Sequence, residues 1–435
     1  MHISLPEEAL LALELLERAG HEAWLVGGSV RDACLGRPLG DLDLATSARP
    51  DEMERVFSGH KTYATGLKHG TLTVRIKRVT MEVTTYRVDG EYTDRRHPDQ
   101  VRFVRDIRED LARRDFTCNA MAWHPNRGLL DPYGGQADCE SRLLRAVGEA
   151  GKRFEEDALR VLRALRFACQ LGFGIEDNTW RAMMDKGAGL KSVSAERVAT
   201  ELNRALVSEH TAWALGKYPR ALLLALPELE EVCADPTAWA RTLNTLQRAP
   251  RDLPIRWAAL FARSAGEDAR QAAFDWRDPG KMPLRPAAAL LDVCLKRLKQ
   301  PGALREQAVQ LAQFVHSELN MGNLRLWLSA LGYEAVTRLL RLQLAGLEGG
   351  GNADDETTRL QGLLEETERL KALNVPLHIR DLAVDGQDLM ALGYPEGREL
   401  GLALEQLLEE VLTGRTENER AALLQLAGRM LEGNR

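Results

Sequence analysis

Leucines and alanines recur every three to four positions among glutamates in LPEEALLALELLERAG (5–20), which predicts an amphipathic helix closed by Gly20. The rhythm then shortens. AWLVGG, DLDLAT, GTLTVRI, VTMEVTTYRV and QVRFV are short β-rich runs and predict strands. After about residue 140 the helical period returns, rich in Leu and Ala, and continues to the end. The chain therefore reads as a small α+β head followed by a long all-α remainder. GLEGGGNADDETT (346–358) is the clearest linker or loop.

Composition adds bounds to this pattern. With 435 residues, 44% hydrophobic and 28% charged, the chain is an ordinary globular sequence long enough for two to four domains. No apolar run approaches membrane-spanning length, and the N-terminal stretch carries acids where a signal peptide needs a basic start. Six cysteines without C-x-x-C pairs predict reduced thiols, a cytoplasmic location and no zinc site. The net charge of −6 is uneven: residues 345–435 hold nine Lys/Arg against 18 Asp/Glu, so residues 1–344 carry +3. A local basic surface for nucleic acid is compatible with that division.

Three stretches carry candidate chemistry. In LVGGSVRDACLGRPLGDLDLAT (25–46), Asp41 and Asp43 alternate on a predicted strand, so both carboxylates point to one face. A solvated strand edge is the simpler reading of a lone D-x-D. With Gly27-Gly28 and Arg31 upstream, a second reading opens: glycines admit a phosphate close to the backbone, and paired carboxylates bind Mg²⁺. Two such ions, about 3.5–4 Å apart, can activate a hydroxyl and steady a leaving pyrophosphate. In REDLARRDFTCNAMAW (108–123), Arg113 and Arg114 precede Phe116 and an apolar, helix-like stretch; Arg114 is either solvated or a bidentate clamp on phosphate.

In KRFEEDALRVLRALRF (152–167), the i, i+3 spacing predicts that Asp157 and Arg160 are neighbours on one helix, with Arg163 and Arg166 continuing the row. They are either an exposed ion pair with solvated arginines or a reader of bases. In the second case Asp157 accepts from an exocyclic amino group and Arg160 donates to the adjacent ring nitrogen. Cytosine and adenine offer that order, guanine and uracil the reverse, so such a pair selects C and A without a template strand.

These stretches, with DPYGGQADCESRLLRAVG, closely resemble motifs A to D of class II tRNA nucleotidyltransferases. Those are the CCA-adding enzymes, related to bacterial poly(A) polymerase. YATGLKHGTLTV (63–74) extends the likeness and RDLAVDGQDLMALGYPEGRELG (380–401) continues it more weakly, so it spans nearly the whole chain. The resemblance implies a polymerase-β-like nucleotidyltransferase head at 1–143, a helical neck at 144–205, a body at 206–310 and a tRNA-binding tail at 311–435. It implies Mg²⁺ on Asp41 and Asp43, and nucleotide contacts at Gly28, Arg31, Arg114, Asp157, Arg160, Arg163 and Arg166. DPYGG (131–135) resembles the hinge between head and neck.

The substrates implied are tRNA, CTP and ATP, with no membrane partner and no prediction of oligomeric state. YRVDGEYTDRRHPDQVRFV (86–104) resembles the full-length flexible loop of members that add all of CCA. RWAALFARSAGEDA (256–269) lacks the His-Asp pair of relatives with a phosphohydrolase domain. The alternatives are a partial CC- or A-adding enzyme, a poly(A) polymerase, or a non-catalytic RNA-binding protein.

Overall fold

Ala23–Val26 is buried along its whole length and forms β1, near the middle of a seven-stranded sheet. The computed structural model describes residues 3–64, 66–89, 101–263, 274–347 and 353–433. Ahead of β1, α1 (Glu7–Arg18) buries Ala9, Ala12, Leu13 and Leu16, the stripe its leucine period predicts. A short helix, α2 (Gly28–Cys34), leaves β1 directly, and the chain returns as β2 (Leu42–Thr46), antiparallel to β1. After α3 (Pro50–Val56) come β3 (Lys61–Tyr63), β4 (Thr71–Ile76) and β5 (Val79–Thr85), the last lying parallel to β2.

The run VTMEVTTYRV breaks at Tyr86, a fully buried ring, and continues as β6 (Arg87–Asp89). β6 pairs with β7 (Val101–Phe103) in a separate antiparallel ribbon. Residues 90–100, the centre of the loop expected at 86–104, lie outside the described residues.

The REDLARRDFTCNAMAW stretch departs from its expected form. Its helix, α4 (Ile107–Ala112), precedes the arginines. The apolar residues after Phe116 form a 3₁₀ turn (Thr117–Asn119) and then β8 (Ala122–His124). β8 pairs Leu25 with Trp123 and Val26 with Ala122, and β9 (Gly128–Leu130) closes the sheet in the order β3-β4-β5-β2-β1-β8-β9. A short apolar run has no period of its own, and the edge of β1 decides its state.

DPYGG turns the chain into α5 (Gly135–Glu140): the Asp131 carboxylate accepts from the N–H groups of Gly135 and Gln136 at 2.7 and 2.9 Å. A Cβ at Gly135 would lie 2.2 Å from the Thr117 carbonyl oxygen, so this turn packs directly on the 3₁₀ turn of the preceding motif. Gly135→Ala is therefore expected to cost about 1–3 kcal/mol by overpacking, a drop of several degrees in thermal midpoint. Gly151→Ala, where nothing lies within 4 Å, is expected to be neutral or stabilising. Equal midpoints for the two variants would refute the packing.

Beyond α5, a two-stranded parallel pair, β10 (Leu143–Leu144) and β11 (Gly174–Ile175), brackets α6 (Ala150–Glu156) and α7 (Arg160–Leu171). The helix expected through 152–167 is thus broken. Asp157 is extended (φ −144°, ψ 102°), and its Oδ1 accepts from the Leu159 N–H at 3.0 Å, a local turn that competes with continued helix. Then follow α8 (Asp177–Lys186), α9 (Ala195–Leu206), α10 (Thr211–Lys217) and α11 (Pro219–Leu223).

The chain divides into two compact units, Met1–Pro227 and Glu228–Arg435. The second is helical throughout its described regular structure, from Glu230–Ala234 to Arg420–Gly433. One of its helices, Ala353–Ala372, begins inside the stretch expected as a linker to 358. Asp354, Asp355 and Glu356 fill its first turn, where acids suit the helix macrodipole. Another cluster in this unit packs Val384, Leu389, Tyr394, Leu407, Val411 and Leu423. Among the described residues no helix is long and apolar enough to cross a membrane. None of the six cysteines, all of them described, is in a disulfide.

Candidate active site in the head

The turn between β1 and α2 sets the geometry. Gly27 has φ 71° and ψ −131°, a conformation that an L side chain resists. A Cβ there would also lie 2.9 Å from Arg114 Nη1 and 3.9 Å from Asp43 Oδ2. The glycine therefore lets a cation and a carboxylate converge on one backbone turn. At Gly28 the equivalent atom would lie 3.5 Å from Arg31 Nη2.

Asp41 is exposed and lies one position before β2, so the strand starts later than DLDLAT predicts. Its carbonyl accepts from Ser29 Oγ at 2.6 Å, tying it to α2. Asp43 is half-buried on β2 and faces Glu82 across the parallel ladder. Burial pushes its carboxyl up, Glu82 and Asp41 add to the rise, and Arg114 opposes it, leaving the group at about 6. Among the described residues no three or more His, Cys, Asp or Glu are grouped so as to hold a metal ion.

Two arginines lie at the same turn, Arg114 at Gly27 and Arg31 at Gly28. Arg31 donates through Nε and Nη2 to Asp32 at 2.9 and 2.8 Å and through Nη1 to Asn119 Oδ1 at 2.7 Å. Arg114 donates to the Asn119 carbonyl at 3.3 Å and to Asp110 at 3.2 Å. Its Nε is buried with no hydrogen-bond partner among the described residues. Asp110 is 1% exposed; burial disfavours its charge, but the Arg114 and Arg113 guanidinia outweigh that and hold its carboxyl below the usual range.

Helix α7 joins this network. Arg163 reaches Asp115 Oδ2 through Nε at 2.8 Å and Nη2 at 2.6 Å. Burial works against the charge of Asp115, yet Arg163 and the Asn119 amide bring its carboxyl down to about 2. Asn119 is the hub, since it also accepts from Arg31 and donates to Asp115 at 3.3 Å. The guanidinia of Arg31, Arg163 and Arg166 gather over the Phe167 ring at 5.5, 5.6 and 3.9 Å.

The Asp157–Arg160 pair expected from spacing is not formed. Arg160 is buried and donates to Glu156 at 2.8 Å and to the carbonyls of Arg153 and Arg113 at 3.1 and 3.0 Å. Asp157 instead accepts from Arg197 Nη2, on α9, at 2.6 Å. The break at Asp157 ends the helical run before α7, and the i, i+3 relation survives only in the backbone, where the Arg160 N–H donates to the Asp157 carbonyl at 3.0 Å. Arg166 is likewise buried rather than solvated, bonded to Glu201 at 2.5 Å and Gln170 at 2.6 Å.

Sequence reasoning missed Glu82, Asp110, Asn119, Arg197 and Glu201. Asp115 and Asn119 carried a usable signal, four residues apart inside a quoted motif. Arg197 and Glu201 lie about one helical turn apart on α9 and 40 and 35 residues from their partners, with no local sign of the pairing.

Residues 23–145 match the family described as the poly A polymerase head domain. Residues 172–231 match a probable RNA and SrmB-binding site of polymerase A, and residues 287–427 a tRNA nucleotidyltransferase domain 2. The chain is 35% identical to the CCA-adding enzyme of Geobacillus thermodenitrificans over 419 residues, 95% of this chain and 94% of the relative. It is 34% identical to that of Streptococcus mutans over 427 residues, 96% of each. Among solved structures it resembles the CCA-adding enzyme of Bacillus stearothermophilus in complex with CTP, with a TM-score of 0.76 and 29% identity over 99% of both chains.

Proposed function

We infer the work of each side chain from the premise that this chain belongs to the CCA-adding enzymes, tRNA nucleotidyltransferases with a polymerase-β-like head. The activity is addition of CCA to the 3′ end of tRNA from CTP and ATP, with release of pyrophosphate. The carrying observation is the convergence of Asp43 and Arg114 on Gly27, beside Arg31 at Gly28. A turn of that shape admits a triphosphate between two cations and a pair of carboxylates.

Asp41 and Asp43 would hold Mg²⁺. The residues fit it: Asp43 is a half-buried carboxyl held near 6 by burial, Glu82 and Asp41, and a hard divalent cation relieves that repulsion. Bound there, Mg²⁺ supplies Lewis-acid activation of the terminal ribose hydroxyl and of the departing pyrophosphate.

The protein's own groups position the reactants. The Gly28 backbone lies against the triphosphate, and Arg31 and Arg114 bind its oxygens, with Arg31 fixed by Asp32 and Asn119. Asp157 accepts the amino group of cytosine or adenine. Arg160 donates through the N–H groups that Glu156, Arg153 and Arg113 leave over. Arg163 locks α7 to Asp115, and Arg166 acts at one remove by fixing Glu201. We propose in addition the four-segment division at 143, 205 and 310 and a cytoplasmic location.

Purified protein incubated with tRNA lacking its last three nucleotides, followed by sequencing of the ends, tests the reading. CTP alone is expected to give CC, and CTP with ATP to give CCA. A run of adenosines from ATP alone would favour a poly(A) polymerase, and arrest at CC with both nucleotides present a partial enzyme.

A further inference from the structure

Outside the residues that converge on Gly27, an aromatic patch stands on α10. Trp213 is 41% exposed, although a tryptophan gains more from burial than any other side chain. Lys217, about one turn on, places Nζ 5.3 Å from the Trp213 ring centroid and 5.5 Å from that of Tyr218. The Trp213 and Tyr218 rings meet edge to face at 6.4 Å. Beneath them the arrangement is fixed: Tyr218 is buried, its hydroxyl accepts from the Ile175 N–H at 2.7 Å, and its ring packs on Trp180 at 5.1 Å. Trp213 is thus backed by a rigid layer on one side and open to solvent on the other.

The α10–α11 segment that carries it is basic. From Thr211 to Leu226 the sequence holds Lys217 and Arg220 and no acid. Neither cation forms a salt bridge with a described residue. An indole face stacks on any nucleobase, an ammonium beside it meets the adjoining phosphate, and a pre-fixed ring loses little entropy on binding. The patch lies within residues 172–231, the segment matching a probable RNA-binding family.

We propose that Trp213 and Lys217 form a contact for the tRNA substrate, Trp213 stacking on an unpaired nucleotide and Lys217 pairing with its phosphate. This rests on tRNA being the substrate. It concerns RNA affinity alone, because neither residue bonds to the groups placed around the nucleotide.

The test compares Trp213→Ala, Trp213→Phe and Lys217→Ala with the parent chain for tRNA binding, KM for tRNA, KM for CTP at saturating tRNA, and thermal midpoint. Trp213→Ala is expected to weaken tRNA binding roughly five- to 150-fold, with KM for CTP and the midpoint unchanged and Trp213→Phe restoring most of the loss. Lys217→Ala is expected to weaken binding and lower the salt dependence by about one ion. Unchanged tRNA affinity in Trp213→Ala, or a loss accompanied by a lower midpoint or a raised KM for CTP, overturns the contact. A parent chain that adds no CCA would instead overturn the substrate reading, so the two failures are distinct.

Discussion

Asp43→Asn is expected to abolish nucleotide addition while making the protein more stable at neutral pH. The rate should fall about a hundredfold to ten-thousandfold, since a metal's share of transition-state stabilisation is several kcal/mol at about 1.4 kcal/mol per decade. The stability gain follows from the raised carboxyl. Burial, Glu82 and Asp41 lift Asp43 from 3.8 to about 6, so folding favours its protonated form. That contribution is fully present below about pH 4 and is lost as pH rises through about 6. The asparagine carries no charge to bury and escapes the loss. In metal-free buffer its thermal midpoint should exceed that of the parent chain at pH 7.5 and converge with it near pH 4. Mg²⁺ should raise the midpoint of the parent and leave the variant unmoved. Near-normal addition by the variant would remove Asp43 from the metal site, and a midpoint difference independent of pH would refute the electrostatic account.

The head was legible where period and turn chemistry agree. The alternation in DLDLAT and GTLTVRI became β2 and β4, and Gly27 before α2 sits in a conformation that favours glycine. The turn at Gly27 also gathers Asp43 and Arg114, which are distant in sequence, with Arg31 beside it at Gly28. What failed was decided by contacts that no local spacing encodes. Ala122, Trp123 and His124 became β8 by pairing with the edge of β1. The helix through 152–167 broke because the Asp157 side chain caps its own backbone and Arg197 holds it from α9. The i, i+3 spacing that suggested an Asp157–Arg160 side-chain pair holds in space as a backbone hydrogen bond, while each side chain finds another partner.

Selection of C and A by protein side chains is the central claim, and Asp157 bears most of it. Asp157→Ala removes the acceptor for the amino group and leaves Arg197, whose buried Nη1 already lacks a hydrogen-bond partner among the described residues, without its carboxylate. Discrimination against U and G should fall by about 1–3 kcal/mol, roughly five- to 150-fold, with a rate loss at least as large. Arg31→Ala should weaken all four nucleotides alike, because phosphate contacts carry no base information.

The most direct measurement is kcat/KM for CTP, ATP, UTP and GTP, each alone, on tRNA ending at the position that each addition requires, for the parent chain and these two variants. The account predicts a collapsed ratio of correct to incorrect nucleotides in Asp157→Ala and a preserved ratio, at lower rate, in Arg31→Ala. A uniform decline across all four nucleotides in Asp157→Ala would contradict it.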